Sequence, residues 1–284
     1  VADPGGKQKV ALFGTPGCEE WVELVATGSD PSLSGGTLVS LLHFDRNLID
    51  ETGKVWTPTG VISALSSIPK FGDGALLGVG GSAQLNTPYD DGFNVNDELI
   101  DFTADGWLYA NTATNGGWAN ILFSFRPDGP LNEQLGTFDV SGLAKMRFES
   151  TGGALVGTTT VTTGAWHHMA IVRRAGVTRI FLDGVKEAEG SIGPYGCVPG
   201  VGPRIGAGYY ASSQSNLNGS LDEFRFVKGA SLYWADFTPP TTAYGAPVIG
   251  VAGPIRGCLE LNDTGYVVAG NVLFTVDTLG NSVA

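Results

Sequence analysis

The stretch Asn218 to Pro240, NGSLDEFRFVKGASLYWADFTPP, constrains the fold more than any other part of the chain. Asn218-Gly219 supplies a turn, after which Leu221 to Val227 alternate with the two-residue period of a strand. Read as a regular strand, it places Asp222, Phe224 and Phe226 on one face and Leu221, Glu223, Arg225 and Val227 on the other. The face with two phenylalanines is the core face, and Asp222 stands at its end. A carboxylate there needs donors or a cation, because an unpaired buried charge is costly. Lys228-Gly229 then turns the chain, and Pro239-Pro240 stops it, since proline cannot donate to a ladder.

The rest of the chain supports a turn-rich β protein. Of 284 residues 43 are glycine, and apolar residues make up 42%, the profile of neither a coiled coil nor a disordered chain. The formal charge of -12 argues against a nucleic-acid partner, which needs a basic stripe. No apolar run approaches the roughly 20 residues of a membrane-spanning helix, so no membrane insertion is expected. The N-terminus VADPGGKQKV lacks a signal-peptide pattern. Cys18, Cys197 and Cys258 are too few and too far apart for a disulfide framework. Cys18 and Cys258 could pair if the ends of the chain are adjacent.

Three regions are expected. Residues 1–36 form an N-terminal arm with a short strand from Lys9 to Phe13. In the same arm Trp21, Leu24 and Val25 have the spacing of a short amphipathic helix over Glu19 to Ala26. From Thr37 to Pro240 the pattern is β throughout. Val55 to Ile62 reads as an edge strand because of Pro58, and Asp105-Gly106 marks a bulge. Asp183-Gly184 joins two alternating strands in the strongest short hairpin signal. Residues 241–284 carry three short strands behind a Pro-Gly linker, Leu259 to Leu261, Tyr266 to Val268 and Val272 to Val276. These are too few to fold alone, and are expected to pair with residues 1–36 or with a neighbouring subunit.

Four motifs carry a family resemblance: LLHFD at Leu41 to Asp45, KFGDGALLG at Lys70 to Gly78, WHHMAIVR with IFLDGV between Trp166 and Val185, and LDEFR at Leu221 to Arg225. They resemble laminin-G-like, concanavalin A-like jelly-roll domains. The second motif departs from the family in its extra Asp73 and in Leu77-Gly78, where an aromatic is usual. The ending KGASLYWADFTPP is similar to that of such domains in bacteriophage virion proteins. The resemblance implies an all-β, concanavalin A-like jelly-roll sandwich of two antiparallel sheets with β-containing N- and C-terminal arms. It further implies a non-catalytic tail fibre, spike or capsid decoration protein on the virion surface. The jelly roll would display a surface for adhesion to a host-surface glycan, and the arms would anchor it to other virion proteins or to copies of itself. A secreted or cell-surface carbohydrate-binding module and a glucanase-type glycoside hydrolase are the alternatives.

Candidate sites follow from residue chemistry and from that resemblance. Related glucanases carry acidic residues at alternate positions of one strand. Asp97, Glu98 and Asp101 come nearest here, but their spacing puts them on mixed faces, and glycoside hydrolysis needs two carboxyls flanking one bond. His167 and His168 are adjacent and so face opposite sides of a strand. They are expected, like His43, to be hydrogen-bonded structural residues. Similar jelly rolls hold a structural Ca²⁺ near the first and last strands, which singles out Asp45 and Asp222. Backbone carbonyls would have to complete the six to eight oxygens that calcium takes. Sugar binding needs aromatic platforms beside polar groups, and Trp118, Tyr209 and Tyr210 are the candidates.

Overall fold

A computed structural model of the chain describes residues 36–245, apart from 81–82, 113–115, 127–132, 194, 198 and 209–215, and the backbone of six strands nearer the termini. Residues 30–244 form one compact unit, and residues 1–29 with 245–284 form another. In the terminal unit Lys9–Val10 pairs with Val22–Glu23. Val22–Glu23, within the helix expected over Glu19 to Ala26, is a strand, and the rest of that segment lies outside the described residues. Ile255–Leu261, Thr264–Ala269, Val272–Val276 and Ser282–Val283 form an antiparallel sheet of their own. The side chains of Cys18 and Cys258 lie outside the described residues, so their pairing stays an expectation.

The larger unit is all-β and consists of two antiparallel sheets. One runs Gly153–Thr160, Leu143–Ser150, Glu133–Val140, Trp118–Arg126, Arg204–Ile205, Gln84–Asn86, Thr57–Thr59 in spatial order. The other runs Val185–Gly190, Val177–Leu182, Trp166–Arg174, Phe102–Ala110, Asn218–Lys228, Leu76–Val79, Ile62–Ser63, and Thr37–Leu42 also pairs with Asn218–Lys228. Their inner faces meet in a core of phenylalanines. Phe93 and Phe226 lie 5.2 Å apart between ring centroids, as do Phe123 and Phe224. Pro58 does sit on a sheet edge, but the segment expected as one strand from Val55 to Ile62 divides between the two sheets. Asp183 and Gly184 both take positive φ, 50° and 82°, which the tightest hairpin turn requires at its two central residues.

The strand Asn218–Lys228 has neighbours along both sides. Phe102–Ala110 runs along one side, while Leu76–Val79 and Thr37–Leu42 share the other, half each. Between the halves Glu223 takes a left-handed φ of 53°, and the register with Phe102–Ala110 shifts between Asp222 and Arg225. This bulge corrects two expectations. The irregularity lies on the partner strand, where the residues between Asp222 and Arg225 carry the extra residue opposite Gly106, and not at Asp105-Gly106 itself. The extra residue also breaks the strict alternation. Leu221, Phe224 and Phe226 pack into the core, while Asp222 and Arg225 pair across the strand with Trp107 and Asp105, whose side chains point away from it.

On that outer face the chain from Ala230 to Tyr244 folds back over the sheet. Tyr233 packs with Ala170, Val172 and Phe181 in a second small core, and its ring stacks on Phe237 at 3.8 Å. Beneath lies a buried ion pair. Arg225 Nε and Nη2 donate to Asp105 Oδ1 and Oδ2 at 3.0 and 2.8 Å, and neither side chain has any exposed surface. The hydroxyls of Tyr233 and Tyr244 donate to Asp105 Oδ2 at 3.0 and 2.9 Å, and His168 Nε2 meets the Tyr244 hydroxyl at 3.0 Å. Burial by itself would raise the Asp105 carboxyl, but the Arg225 guanidinium and His168 outweigh it and hold the group well below the usual carboxylate range. Glu223 secures the end of the tail, accepting the Tyr244 backbone N–H at 2.7 Å and contacting His43 Nδ1 at 3.0 Å.

Arg225→Ala should therefore cost about 3–5 kcal/mol, because it leaves Asp105 buried and unpaired. The double variant Asp105→Asn/Arg225→Met should lose less than the single one. Urea unfolding of the three proteins measures both quantities, and a single-variant loss below about 1 kcal/mol, the range of exposed pairs, would contradict the account.

Candidate functional site

The two outer faces differ. The tail occupies that of the eight-stranded sheet. On the seven-stranded sheet the strand Leu143–Ser150 buries Ala144, Met146 and Phe148 in the core and turns Lys145, Arg147 and Glu149 outward, half-buried. Phe138 pairs across the strands with Lys145 on one side and with Trp118 on the other. These residues form a compact patch. The Trp118 and Phe138 rings meet edge to face at 5.4 Å. The Arg147 guanidinium lies 4.1 Å from the Phe138 ring centroid and 5.3 Å from that of Trp118, and its Nη2 pairs with Glu149 Oε2 at 3.1 Å. Lys145 Nζ donates to the Thr158 carbonyl and the Thr160 hydroxyl at 2.6 and 2.9 Å.

A polar row runs beside this patch. By register Glu149 lies opposite Gln134, Gln134 opposite Ser124, Ser124 opposite Arg204 and Arg204 opposite Asn86. Gln134 is 2% exposed and Ser124 0%, yet Gln134 Oε1, Ser124 Oγ and the Nε of Arg147 have no hydrogen-bond partner among the described residues. A buried polar group left unpaired costs about 1–3 kcal/mol, so these atoms call for a water. The aromatic rings, guanidinium and carboxylate beside them on the sheet face can stack on an apolar ring face and hydrogen-bond the hydroxyls around its rim.

Of the residues expected to bind a sugar, Trp118 belongs to this patch, and Tyr209 and Tyr210 lie outside the described residues. The sequence reading missed Phe138, Arg147 and Glu149. The alternation of charged and apolar residues from Lys145 to Glu149 was the available signal, but nothing local tells which sheet face stays open.

Asp45 and Asp222 hold one loop. Asp222 Oδ2 accepts the backbone N–H groups of Lys70 and Phe71 at 2.8 and 3.1 Å, and its Oδ1 accepts that of Glu223 at 3.0 Å. Asp45 Oδ1 accepts the N–H of Asp73 at 3.0 Å. The loop passes so close to Asp45 that a Cβ on Gly72, which has φ +59°, would lie 1.9 Å from the carboxylate oxygen. Backbone N–H donors surround Asp222, which as placed here clamps the loop; calcium at Asp45 and Asp222 stays an expectation. Among the described residues no three His, Cys, Asp or Glu side chains come together as a metal centre would need.

The remaining candidates have local roles. Asp97 Oδ1 caps Leu99, and Asp101 Oδ1 accepts the Ala175 N–H. His167 Nδ1 contacts Asp183 at 2.7 Å, and His43 and His168 belong to the buried tail contacts.

Residues 79–231 match the family described as the concanavalin A-like lectin/glucanases superfamily. The chain belongs to that superfamily. No curated protein matches it. Among solved structures, domain 4 of AbnA, a GH43 extracellular arabinanase from Geobacillus stearothermophilus in complex with arabinotriose, is similar in fold. It has a TM-score of 0.52 at 20% identity, over 69% of this chain and 94% of that one. Trypanosoma rangeli sialidase has a TM-score of 0.48 at 12% identity, and the match spans 69% of this chain and 30% of the sialidase. At such identities the likeness is one of fold.

Within this concanavalin A-like sandwich the Asp222 clamp has a measurable signature. Burial pushes the carboxyl up to about 7 from 3.8, against the pull of the Phe71 and Lys70 N–H groups. As pH rises the unfolded chain gives up its proton first. The contribution of Asp222 is therefore fully present below about pH 4 and is lost as pH rises through 7. Stability measured from pH 4 to 7 should fall more steeply in the wild type than in Asp222→Asn, and parallel curves would place Asp222 outside the titration.

Proposed function

We propose that the chain is a non-catalytic carbohydrate-binding module that uses the open outer face of its seven-stranded sheet, around Trp118, Phe138, Arg147 and Glu149. One observation carries the reading: the sandwich covers one outer face with its own tail, and on the other the described residues form an aromatic and cationic patch beside buried polar atoms that have no partner among those residues. The domain likeness to an arabinanase domain solved with an arabinose oligomer agrees with it. Glu149 is engaged with Arg147, Asp105 with Arg225, and Asp97 and Asp101 accept backbone N–H groups, which argues against the paired carboxyls of a glycosidase. The ending KGASLYWADFTPP, with its resemblance to virion proteins, supports display on a bacteriophage particle, with the terminal unit as its attachment. Adhesion to a host-surface glycan is the corresponding role.

Binding to a panel of immobilised oligosaccharides should identify a ligand. Trp118→Ala should weaken that binding about tenfold, the equivalent of the 1.4 kcal/mol that a ring contact supplies, and Arg147→Ala should weaken it at least as much. Unchanged affinity in both variants, with the fold intact, would move the site elsewhere. Turnover of any bound glycan would end the non-catalytic reading.

A further inference from the structure

The two side walls of the sandwich are built differently. At one, Val185–Gly190 and Gly153–Thr160 lie next to each other, and Glu187 Oε2 ties them by accepting the backbone N–H groups of Thr158 and Thr159 at 2.5 and 2.8 Å. Asp236 from the tail accepts the Lys186 N–H at 2.9 Å. Lys186, Glu187 and Glu189 place charge along this edge, the usual protection against strand pairing with another chain.

Among the described residues the opposite wall has no such carboxylate tie and no row of charged side chains. One segment, residues 55–69, supplies the end strands of both sheets, Thr57–Thr59 and Ile62–Ser63, and it carries no charged side chain. Trp56, Ile62 and Ala64 turn into the core, and the apolar side chains beside them stay exposed. Val55, Val61 and Leu65 are 69%, 67% and 65% exposed, and Val79, bonded through its N–H to the Val61 carbonyl, is 58% exposed. Pro58 removes one donor from the Thr57–Thr59 edge. The Ile62–Ser63 edge keeps its donors.

We propose that this wall is a self-association surface on which a second copy of the chain packs the same segment about a twofold axis. Two features select a second copy as the occupant. An antiparallel edge turned about a twofold axis offers its own N–H and C=O pattern back to itself, which makes it self-complementary. A chain of net charge -12 repels its copies over most of its surface, and this uncharged wall lets two of them approach without opposing carboxylates. The inference is independent of carbohydrate binding and places assembly contacts on the sandwich as well as on the terminal strands.

Sedimentation velocity of the full chain over a dilution series in the micromolar range tests it. The wild type should form a dimer that dissociates on dilution. Val61→Glu and Leu65→Glu, each at a position with room for a charged side chain, should keep the wild-type melting temperature and weaken dimerisation at least tenfold. Val55→Glu serves if either fails to fold. Trp118→Ala, on the open sheet face, should leave the dimer unchanged. A wild type that stays monomeric through the series would overturn the proposal, as would glutamate variants that associate like the wild type.

Discussion

The contact between Asp105 and Arg225 underlies most of what distinguishes the two faces of this protein. Two formal charges without exposed surface would be a liability by themselves. They persist because the bidentate geometry and two tyrosine hydroxyls satisfy Asp105. Those tyrosines are Tyr233 and Tyr244, one near the start and one at the end of the returning tail. The ion pair thus serves as the anchor against which the tail closes, and the small core of Phe181, Val172 and Tyr233 forms under it. An apolar sheet face that would otherwise attract partners is covered from within the chain.

The bulge at Glu223 makes this arrangement possible. Without the extra residue Arg225 would share a face with Leu221, and Phe224 would share one with Asp222. With it, one strand sends Phe224 and Phe226 into the main core and Arg225 into the polar layer outside. The same residue turns its carboxylate towards His43 and the Tyr244 N–H, so the distortion and the tail clasp are one structural device. Its cost, a non-glycine residue at positive φ, is met by the contacts it gains.

Covering one face and one edge leaves the other face and wall to carry the proposed contacts. The open face of the seven-stranded sheet combines ring surfaces with donors and acceptors, and the uncharged wall combines exposed valines and leucine with an unprotected strand edge. The first is suited to a small polar ligand with apolar faces, the second to another sheet edge. A particle-bound adhesin has a use for both, since weak single-site sugar binding gains avidity when copies are linked.

The sequence by itself determined the local features. The alternation in Trp166–Arg174, the Asp183-Gly184 turn, the edge placement of Pro58 and the all-β class follow from side-chain period, turn chemistry and backbone donors, all of which act within a few residues. The tertiary structure alone decided the rest. Strict alternation placed Asp222 on the core face and Leu221 off it, and the bulge at Glu223 that reverses both is set by pairing with distant strands and not by the local pattern. Trp118 was legible as an aromatic beside glycines, but its partners Phe138 and Arg147 lie on two further strands whose register no local pattern contains. Asp222 was legible as a buried acid in need of donors. That its donors would be the N–H groups of Lys70 and Phe71, about 150 residues earlier, depends on how a distant loop meets the strand Asn218–Lys228, and hydrogen bonds at such separation are fixed only when the sheets close.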